Sequence, residues 1–444
     1  MKFRNSTLFI LVAGLAVWGI RFYFLDLTPP QAFESHVDEK VKLSGIVTDA
    51  PSIRNTNNRF LVSIKAEKEF NILVTTVNNG IEYGDEVEVI GTLKKAENFI
   101  TDQGKEFDYI NYLKKDNVLY TVSFAKVEVI SKNHGFWIKK YLFKVKNFFL
   151  DKINFAINPP ESYLLAGLIL GEKSNFSQEL NDAFIRTGTI HIVALSGYNV
   201  TIVAEWIMSL FAFTGASSIY FGIFGILFFI IMTGGASTGI RAGIMAVLAL
   251  VARKTGRMYE AGRGLVLAGV IMIIWNPMIL LYDVSFQFSF LATFAVIYIT
   301  PKTIKYFYWV PTKFGLRDII NVTTTVYVFM LPFILYKMGN LSLVALPANF
   351  LVLPLIPITM LLGFITGFAG IIYPIISVVP GYVTGQLLAY ELFIIEKFAI
   401  LPFASIAISR FPLVLVILIY TWFAYRLFYR DIQNSFKKEE EIVW

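Results

Sequence analysis

Apolar residues run through most of this chain, but their period changes along it. Ser6–Leu25 is a first apolar stretch, preceded by Lys2 and Arg4 and closed by Arg21-Phe-Tyr-Phe-Leu25. With no small-x-small cleavage site after it, it predicts an uncleaved membrane helix with an interfacial anchor. From Gln31 to about Ser131 a period of two takes over. It is clearest in Val41-Lys-Leu-Ser-Gly-Ile-Val47, Phe60-Leu-Val-Ser-Ile-Lys65, Asn71-Ile-Leu-Val-Thr-Thr-Val77 and Asp85-Glu-Val-Glu-Val-Ile-Gly91. Turn signals at Arg54–Asn58, Asn78-Asn-Gly80 and Gly84-Asp85 separate these runs. Phe107–Lys115 reads as a short helix and Leu119–Ile130 as a last strand. About five short strands with one small helix predict a barrel of OB type, with a generic sandwich as the other solution.

Beyond the barrel the helical period returns. Phe136–Ile157 carries Lys139, Lys140, Lys144 and Lys146 among aromatic residues, the pattern of a basic amphipathic helix in the interface plane. From Pro159 onward the spacing predicts spans near 190–213, 218–233, 237–252, 262–275, 284–300, 318–336, 348–371, 380–400 and 411–429. With the first helix this gives about ten spans. Several are shorter than a full crossing and Pro347, Pro354, Pro357, Pro374 and Pro380 interrupt the last third, so broken or re-entrant helices are expected. The fold class is thus a polytopic α-helical membrane protein carrying a small all-β domain. Its divisions are an N-terminal helix at 1–30, the β domain at 31–132, the amphipathic helix at 133–158, the main membrane domain at 159–430 and a charged tail at 431–444.

Charge orients this scheme. With Met1 cytoplasmic, the β domain is extracytoplasmic, and three basic clusters fall inside: Arg253–Arg257, the Lys302–Arg317 loop, and Arg426–Lys438. The β domain itself, from Gln31 to Ser131, holds 12 Lys/Arg against 16 Asp/Glu. Its acidity opposes tight nucleic-acid binding, which rests on phosphate neutralisation, although Phe60, Tyr83, Tyr109 and Tyr112 could supply stacking surfaces. A guiding contact and a purely structural domain both stay open.

The composition narrows the chemistry. No Cys occurs, which excludes disulfides, thiolate metal sites and Cys nucleophiles. The three His residues, His36, His134 and His191, are too scattered for a His-rich metal centre, so neither a metal nor a cofactor is expected. No phosphate-binding Gly-x-x-x-x-Gly-Lys-Ser/Thr loop is present, so energised transport would need a partner or a gradient.

Polar groups at membrane depth are the candidate functional residues. Arg241 opens an apolar helix, and a charge there costs roughly 2.5–3.5 kcal/mol in hydrocarbon, so it should face protein or a water-filled path unless it snorkels from the helix end. Glu205 lies within a span, with Arg241 as a plausible partner. Asp283 and Gln287 share a helix face, as a conduit pair or as an N-cap and interhelical glue. Gly188 and Ser196-Gly197 would break a helix and place Ser196 and Asn199 at the break, either lining a path or allowing close packing. No catalytic residue is assigned.

The stretch Gly167–Val200, with Gly171-Glu-Lys-Ser174, Arg186-Thr-Gly188 and His191-Ile-Val-Ala-Leu-Ser-Gly-Tyr-Asn199, resembles the competence domain of the ComEC family of DNA-uptake membrane proteins. Three further stretches are similar to family elements in the same order: Gly104–Leu113, Gly235–Met245, and Asn276-Pro followed by Ser285-Phe-Gln-Phe-Ser-Phe-Leu-Ala-Thr293. The resemblance implies a membrane channel translocating single-stranded DNA into the cytoplasm, with single-stranded DNA and the lipid bilayer as its contacts. It also implies a separate DNA receptor, nuclease and cytoplasmic ATPase or helicase as partners. Two departures matter. Asn199 stands where the family has His, so no proton or metal role carries over to it. The His-x-His-x-Asp-His ligands of the family's metallo-β-lactamase-like domain are also absent from these 444 residues, so strand degradation is expected of another protein. A secondary transporter or channel for a small solute is the alternative reading. An intramembrane enzyme using Glu205 and Asp283 is a third, without a nucleophile or metal constellation to support it.

Overall fold

A computed structural model describes residues 5–53, 57–101, 103–172, 176–193 and 197–440. The alternating segment forms β1 (Lys40–Val47), β2 (Asn58–Ile64), β3 (Phe70–Thr76), β4 (Glu86–Lys95), β5 (Val118–Val122) and β6 (Lys126–Ser131). The order β1-β2-β3-β5-β4 closes back onto β1, with β3 and β5 parallel and the other neighbours antiparallel. This is the OB-like barrel that the pattern predicted. Alternation dictates the filling: Phe70, Ile72 and Val74 of β3 and Val87 and Val89 of β4 all point into one core. Leu73, on the other face of β3, packs under the short helix Tyr109–Lys114, whose first turn Asp108 caps at 3.1 Å from the Asn111 amide.

Leu119–Ile130, expected as one strand, is two. The long strand β4 offers Leu93–Lys95 to β5 and Glu86–Ile90 to β6, so the chain must shift between registers. It does so through Phe124, whose φ of 54° lies in the left-handed region. One end of the barrel is plugged by the short helix Gln31–Glu34. Phe33 meets Phe70 edge to face and Tyr120 at a tilt, and Glu34 accepts from the Tyr120 hydroxyl at 2.9 Å and from Lys95 at 2.6 Å. The Lys95 ammonium, with help from Tyr120, holds the Glu34 carboxyl below its ordinary value. Burial, and then Glu34 itself, push the Tyr120 hydroxyl up.

The helices are α1 (Asn5–Tyr23), α2 (Trp137–Ala156), α3 (Glu161–Leu170), α4 (Gln178–Arg186), α5 (Gly197–Leu210), α6 (Ser218–Met232), α7 (Ser237–Lys254), α8 (Ala261–Trp275), α9 (Val284–Phe294), α10 (Leu316–Met338), α11 (Ala345–Val352), α12 (Ile356–Ile372), α13 (Val378–Ala399) and α14 (Leu413–Glu440). Four helical segments are long and apolar enough to cross a membrane: Ser6–Tyr23, Val284–Phe307, Leu316–Met338 and Pro374–Ala399. A fifth follows if α11 and α12, bent by 46° at their break, count as one span. Helices α6 and α8 have 15 residues each. At 1.5 Å per residue that is about 22 Å, short of the ~30 Å hydrocarbon core. The ten spans expected from apolar runs are therefore not all recovered as full-length crossings.

Helix α2 packs lengthwise along α12 rather than standing apart from the bundle. Phe149 meets Phe364 and Phe368, and a Cβ placed on Gly367 would lie 2.3 Å from the Phe149 ring. Its Lys146 is buried and pairs with Glu172 at 2.7 Å, just past the left-handed Gly171 that ends α3. The root of α2 is tied to the barrel by Lys139 donating to the Thr48 carbonyl (3.0 Å) and by the Tyr83 hydroxyl accepting from Phe136 N (3.1 Å).

The bundle has two distinct ends. α1 and α8 run parallel: Arg263 donates to Ser6 and Thr7 at one end, while Trp18 and Arg21 donate to the Pro277 and Ile274 carbonyls at the other. At this second end Asn276 donates to the Lys115 carbonyl of the barrel domain at 2.7 Å. Lys105 of the same domain sits over the Tyr336 ring, and Gly104 lies against Ser409. Arg253–Arg257, which precedes α8, Lys302–Arg317, which precedes α10, and the end of α14 consequently gather at the end away from the barrel.

Two outcomes follow from this packing. Gly367→Leu should destabilise the purified protein by the ~1–3 kcal/mol of an overpacked contact, read as a lowered thermal midpoint; an unchanged midpoint would mean that α2 is not seated on α12. Because the Glu34 carboxyl is held below its ordinary 4.5, its contribution is full above that pH and lost as the pH falls through the lowered value. Glu34→Gln should therefore speed hydrogen exchange in β3 and β5 at neutral pH and change it little in strong acid.

Candidate functional site

Three helix breaks shape the bundle, and two of them meet at the start of α7. The first lies between α4 and the short helix Ile190–Val193, where Gly188 takes φ 67° against Ala345 and Ser342. The second is Gly234-Gly235, with φ of 81° and 67°, between α6 and α7. The third is the run from Asn276 to Asp283 between α8 and α9, which includes the short helix Ile279–Tyr282. Glycine at φ > 0 lets the chain turn without the Cβ penalty another residue would carry.

Each break frees backbone groups, and side chains take them up. Asp283 is the N-cap of α9: one carboxylate oxygen accepts from Phe286 N at 3.1 Å and the other from the Ser237 hydroxyl at 2.6 Å. It thereby clamps the starts of α7 and α9 together. Gln287, one turn on, donates to the Leu280 and Leu281 carbonyls at 2.9 and 2.8 Å, leaving its Oε1 buried without a partner. Asn199 is buried at 3% exposure and donates to the Leu168 carbonyl at 2.7 Å, so it serves the end of α3 across the bundle.

Arg241 is the exception. One turn into α7 and 8% exposed, it donates from Nε to the Ser289 hydroxyl at 2.7 Å and touches Met245 Sδ with Nη1. Nη2 points at Gly197, where an added Cβ would stand 3.3 Å away. Among the described residues no carboxylate lies within ion-pair distance of its guanidinium. The partnership with Glu205 expected from sequence does not form, because Glu205 is exposed on α5 while Arg241 turns towards α9. Of the six residues singled out, Arg241, Asp283 and Gln287 thus come together around α7 and α9. Asn199 faces α3, Glu205 faces outward, and Ser196 lies outside the described residues. His191 is exposed, with Nδ1 3.0 Å from the Gly188 carbonyl. Among the described residues no group of three or more His, Asp or Glu side chains is placed to hold a metal.

One buried acid escaped the sequence reading. Glu391, on α13, is completely buried and lies 2.7 Å from the Thr359 hydroxyl. Its signal was available, since an ionisable residue inside an apolar span marks a functional position by default. On the barrel, a groove of about 450 Å³ runs beside β1, lined among others by Lys65, Glu69, Tyr83, Glu86, His134 and Phe136. It mixes both charges with two aromatic rings.

A family model described as Competence protein matches residues 168–432. The chain is also similar to ComE operon protein 3 of Bacillus subtilis (strain 168), at 22% identity over 377 residues. That match covers 83% of this chain and 47% of the relative, so the chain spans about half the length of the curated protein it matches. No solved structure matches.

If Asn199 serves the fold, Asn199→Ala should strand the Leu168 carbonyl and cost about 1–3 kcal/mol in thermal unfolding of the purified protein. An unchanged midpoint would mean that the bond to the Leu168 carbonyl does not hold the end of α3.

Proposed function

The chain belongs to the Competence protein family, and from that premise we propose that it is a membrane channel passing single-stranded DNA into the cytoplasm during natural transformation. The observation that carries the reading is Arg241: a buried guanidinium with no carboxylate partner among the described residues, set between Gly197 at the start of α5 and Ser289 on α9. A cation left uncompensated inside a bundle is costly unless it serves an anion or a water-filled path. A polyanionic strand is the anion this family handles. Glu205, exposed on its helix, would face lipid as an isolated charge unless a water path, a second copy or a partner covers it; we keep it, with Ser196, Asn199, Asp283 and Gln287, in the proposed path.

In this reading the barrel is extracytoplasmic, both termini are cytoplasmic and about ten helical passes make up the membrane part, short ones included. The gathering of Arg253–Arg257, Lys302–Arg317 and the tail at the end away from the barrel supports that orientation. The division at 1–30, 31–132, 133–158, 159–430 and 431–444 is retained. The barrel groove, with Lys65 against Glu69 and Glu86, suits a guiding contact better than tight binding. A DNA receptor, a nuclease for the other strand and a cytoplasmic ATPase or helicase are the partners such a channel would require. A secondary transporter for a small solute is the competing reading, favoured by the bent pair α11–α12 and the buried Glu391.

Deleting the gene in a transformable host and following labelled DNA separates these readings. A channel for DNA predicts label held outside and accessible to added nuclease; normal internalisation would overturn it. Arg241→Ala, at normal protein level, should reproduce the deletion, and Arg241→Lys should recover part of the uptake.

A further inference from the structure

We propose that a groove between α10, the far end of the α9 helical run and α14 binds one anionic phospholipid. An acyl chain would fill the groove and the headgroup would rest on Lys305 and Arg426. The inference is independent of what the bundle carries. The groove, of about 190 Å³, is floored by the buried Ile299 and Phe329 and opens past Val328, which is 46% exposed on α10. Phe423 of α14 closes one side, its ring centre 5.6 Å from that of Phe329.

Local structure makes this corner apolar. The helical run Val284–Phe307 passes through a π turn at Ala295–Ile299 before Thr300–Thr303, and such wide turns recur at functional sites. Thr303, Thr324 and Thr325 all line the groove, yet its surface is almost wholly carbon. The hydroxyl of Thr303 donates to Asn321 Oδ1 at 2.8 Å and lies 2.7 Å from that of Thr325, while Asn321 donates onward to the Thr300 carbonyl at 3.1 Å. With these polar atoms turned on one another, the groove offers water few partners and suits a hydrocarbon chain.

Its depth and its rim match one leaflet. Counted from Leu316, Thr324 and Val328 lie roughly 12 and 18 Å along α10. Half of a ~30 Å hydrocarbon core is about 15 Å. The mouth lies at the loop end, away from the barrel: Tyr306 lines the groove, and the exposed Lys305 holds its ammonium 5.1 Å over that ring. Arg426 is exposed one turn beyond Phe423, towards the same end. Tyr306, Tyr308 and Trp309 are exposed beside them, as in the aromatic belt of a membrane interface. From Lys302 to Asp318 the chain carries four cations and one carboxylate. Of these, Arg317 is spent on folding the loop, donating to the Val310 and Tyr308 carbonyls at 2.9 and 3.0 Å.

The headgroup decides which lipid is held. An acyl chain gains little by leaving its neighbours for this groove, because lipid tails are as apolar as the groove wall. Selection therefore rests on charge at the mouth. Phosphatidylglycerol brings a phosphodiester with no cation of its own, which Lys305 and Arg426 complement. Phosphatidylcholine balances its phosphate internally and gains less from them. A free phosphate would meet the two cations without using the groove.

The test titrates the full chain, purified in detergent, with phosphatidylglycerol or phosphatidylcholine and reads bound lipid by native mass spectrometry. One phosphatidylglycerol should bind more tightly than phosphatidylcholine. Lys305→Gln and Arg426→Gln should each weaken it about fivefold, the effect of one cation at an anionic headgroup. Val328→Trp, a change at an exposed position, should weaken binding with both cations in place. Arg257→Gln, in another basic cluster at the same end, should leave binding unchanged, and glycerol phosphate should not compete. Equal affinity for the two lipids, indifference to Val328→Trp, equal weakening by Arg257→Gln, or competition by glycerol phosphate would each overturn the proposal. Displacement by a short single-stranded oligonucleotide would also overturn it, by giving the two cations to a strand.

Discussion

A backbone N–H or C=O left unpaired inside a packed bundle costs free energy, and this chain interrupts its helices repeatedly towards the end that meets the barrel. The rest of the bundle follows from meeting that cost internally. Asp283 closes the start of α9 and ties it to Ser237 on α7. Gln287 takes the carbonyls of Leu280 and Leu281, Asn199 takes Leu168, and Asn340 takes Ile185 at 3.1 Å. The same device joins the two domains, since Asn276 satisfies a barrel carbonyl rather than one of its own helix. Polar side chains that could have lined a path are mostly spent on holding the breaks open in defined shapes.

That accounting isolates the groups which the fold does not explain. Arg241 is buried and has only a hydroxyl and a thioether as hydrogen-bond partners. Gln287 keeps one buried acceptor unused, and Glu391 keeps another. Such residues raise the energy of the folded state, and proteins tolerate them where a ligand, a proton or water completes the site. In the proposed function the substrate is a single DNA strand, and the placement of Arg241 beside Gly197 and Ser289 is where that strand would meet the protein.

Much of the architecture was legible in the sequence, for a physical reason. A half-buried strand must alternate, so the barrel strands could be read from period two alone, and the short helix after them from its own spacing. The single predicted strand Leu119–Ile130 failed because alternation persists through a register shift: β5 and β6 both alternate, and only the pairing with two different parts of β4 divides them. Apolar runs located most of the bundle helices to within a few residues, as with 218–233 against Ser218–Met232 and 262–275 against Ala261–Trp275, and marked several of them as shorter than a full crossing. The roles of Asn199 and Asp283 were read as open choices because a polar residue near a break can either face a path or mend the backbone. Only the positions of Leu168 and Ser237 decide between these roles, and both are remote in sequence. Glu205 was assigned Arg241 as a partner on charge alone; the opposite orientations of the two side chains were not encoded locally.

The central claim, that the strand passes the broken helices beside Arg241, is open to direct observation. A photo-crosslinking residue at Ser289, which contacts Arg241, can be compared during DNA uptake in living cells with one at Leu418, which is 58% exposed on the outer face of α14. The account predicts that incoming labelled single strand is captured at position 289 and not at position 418. Capture at neither position while uptake proceeds, or capture only at the outer face, would contradict it.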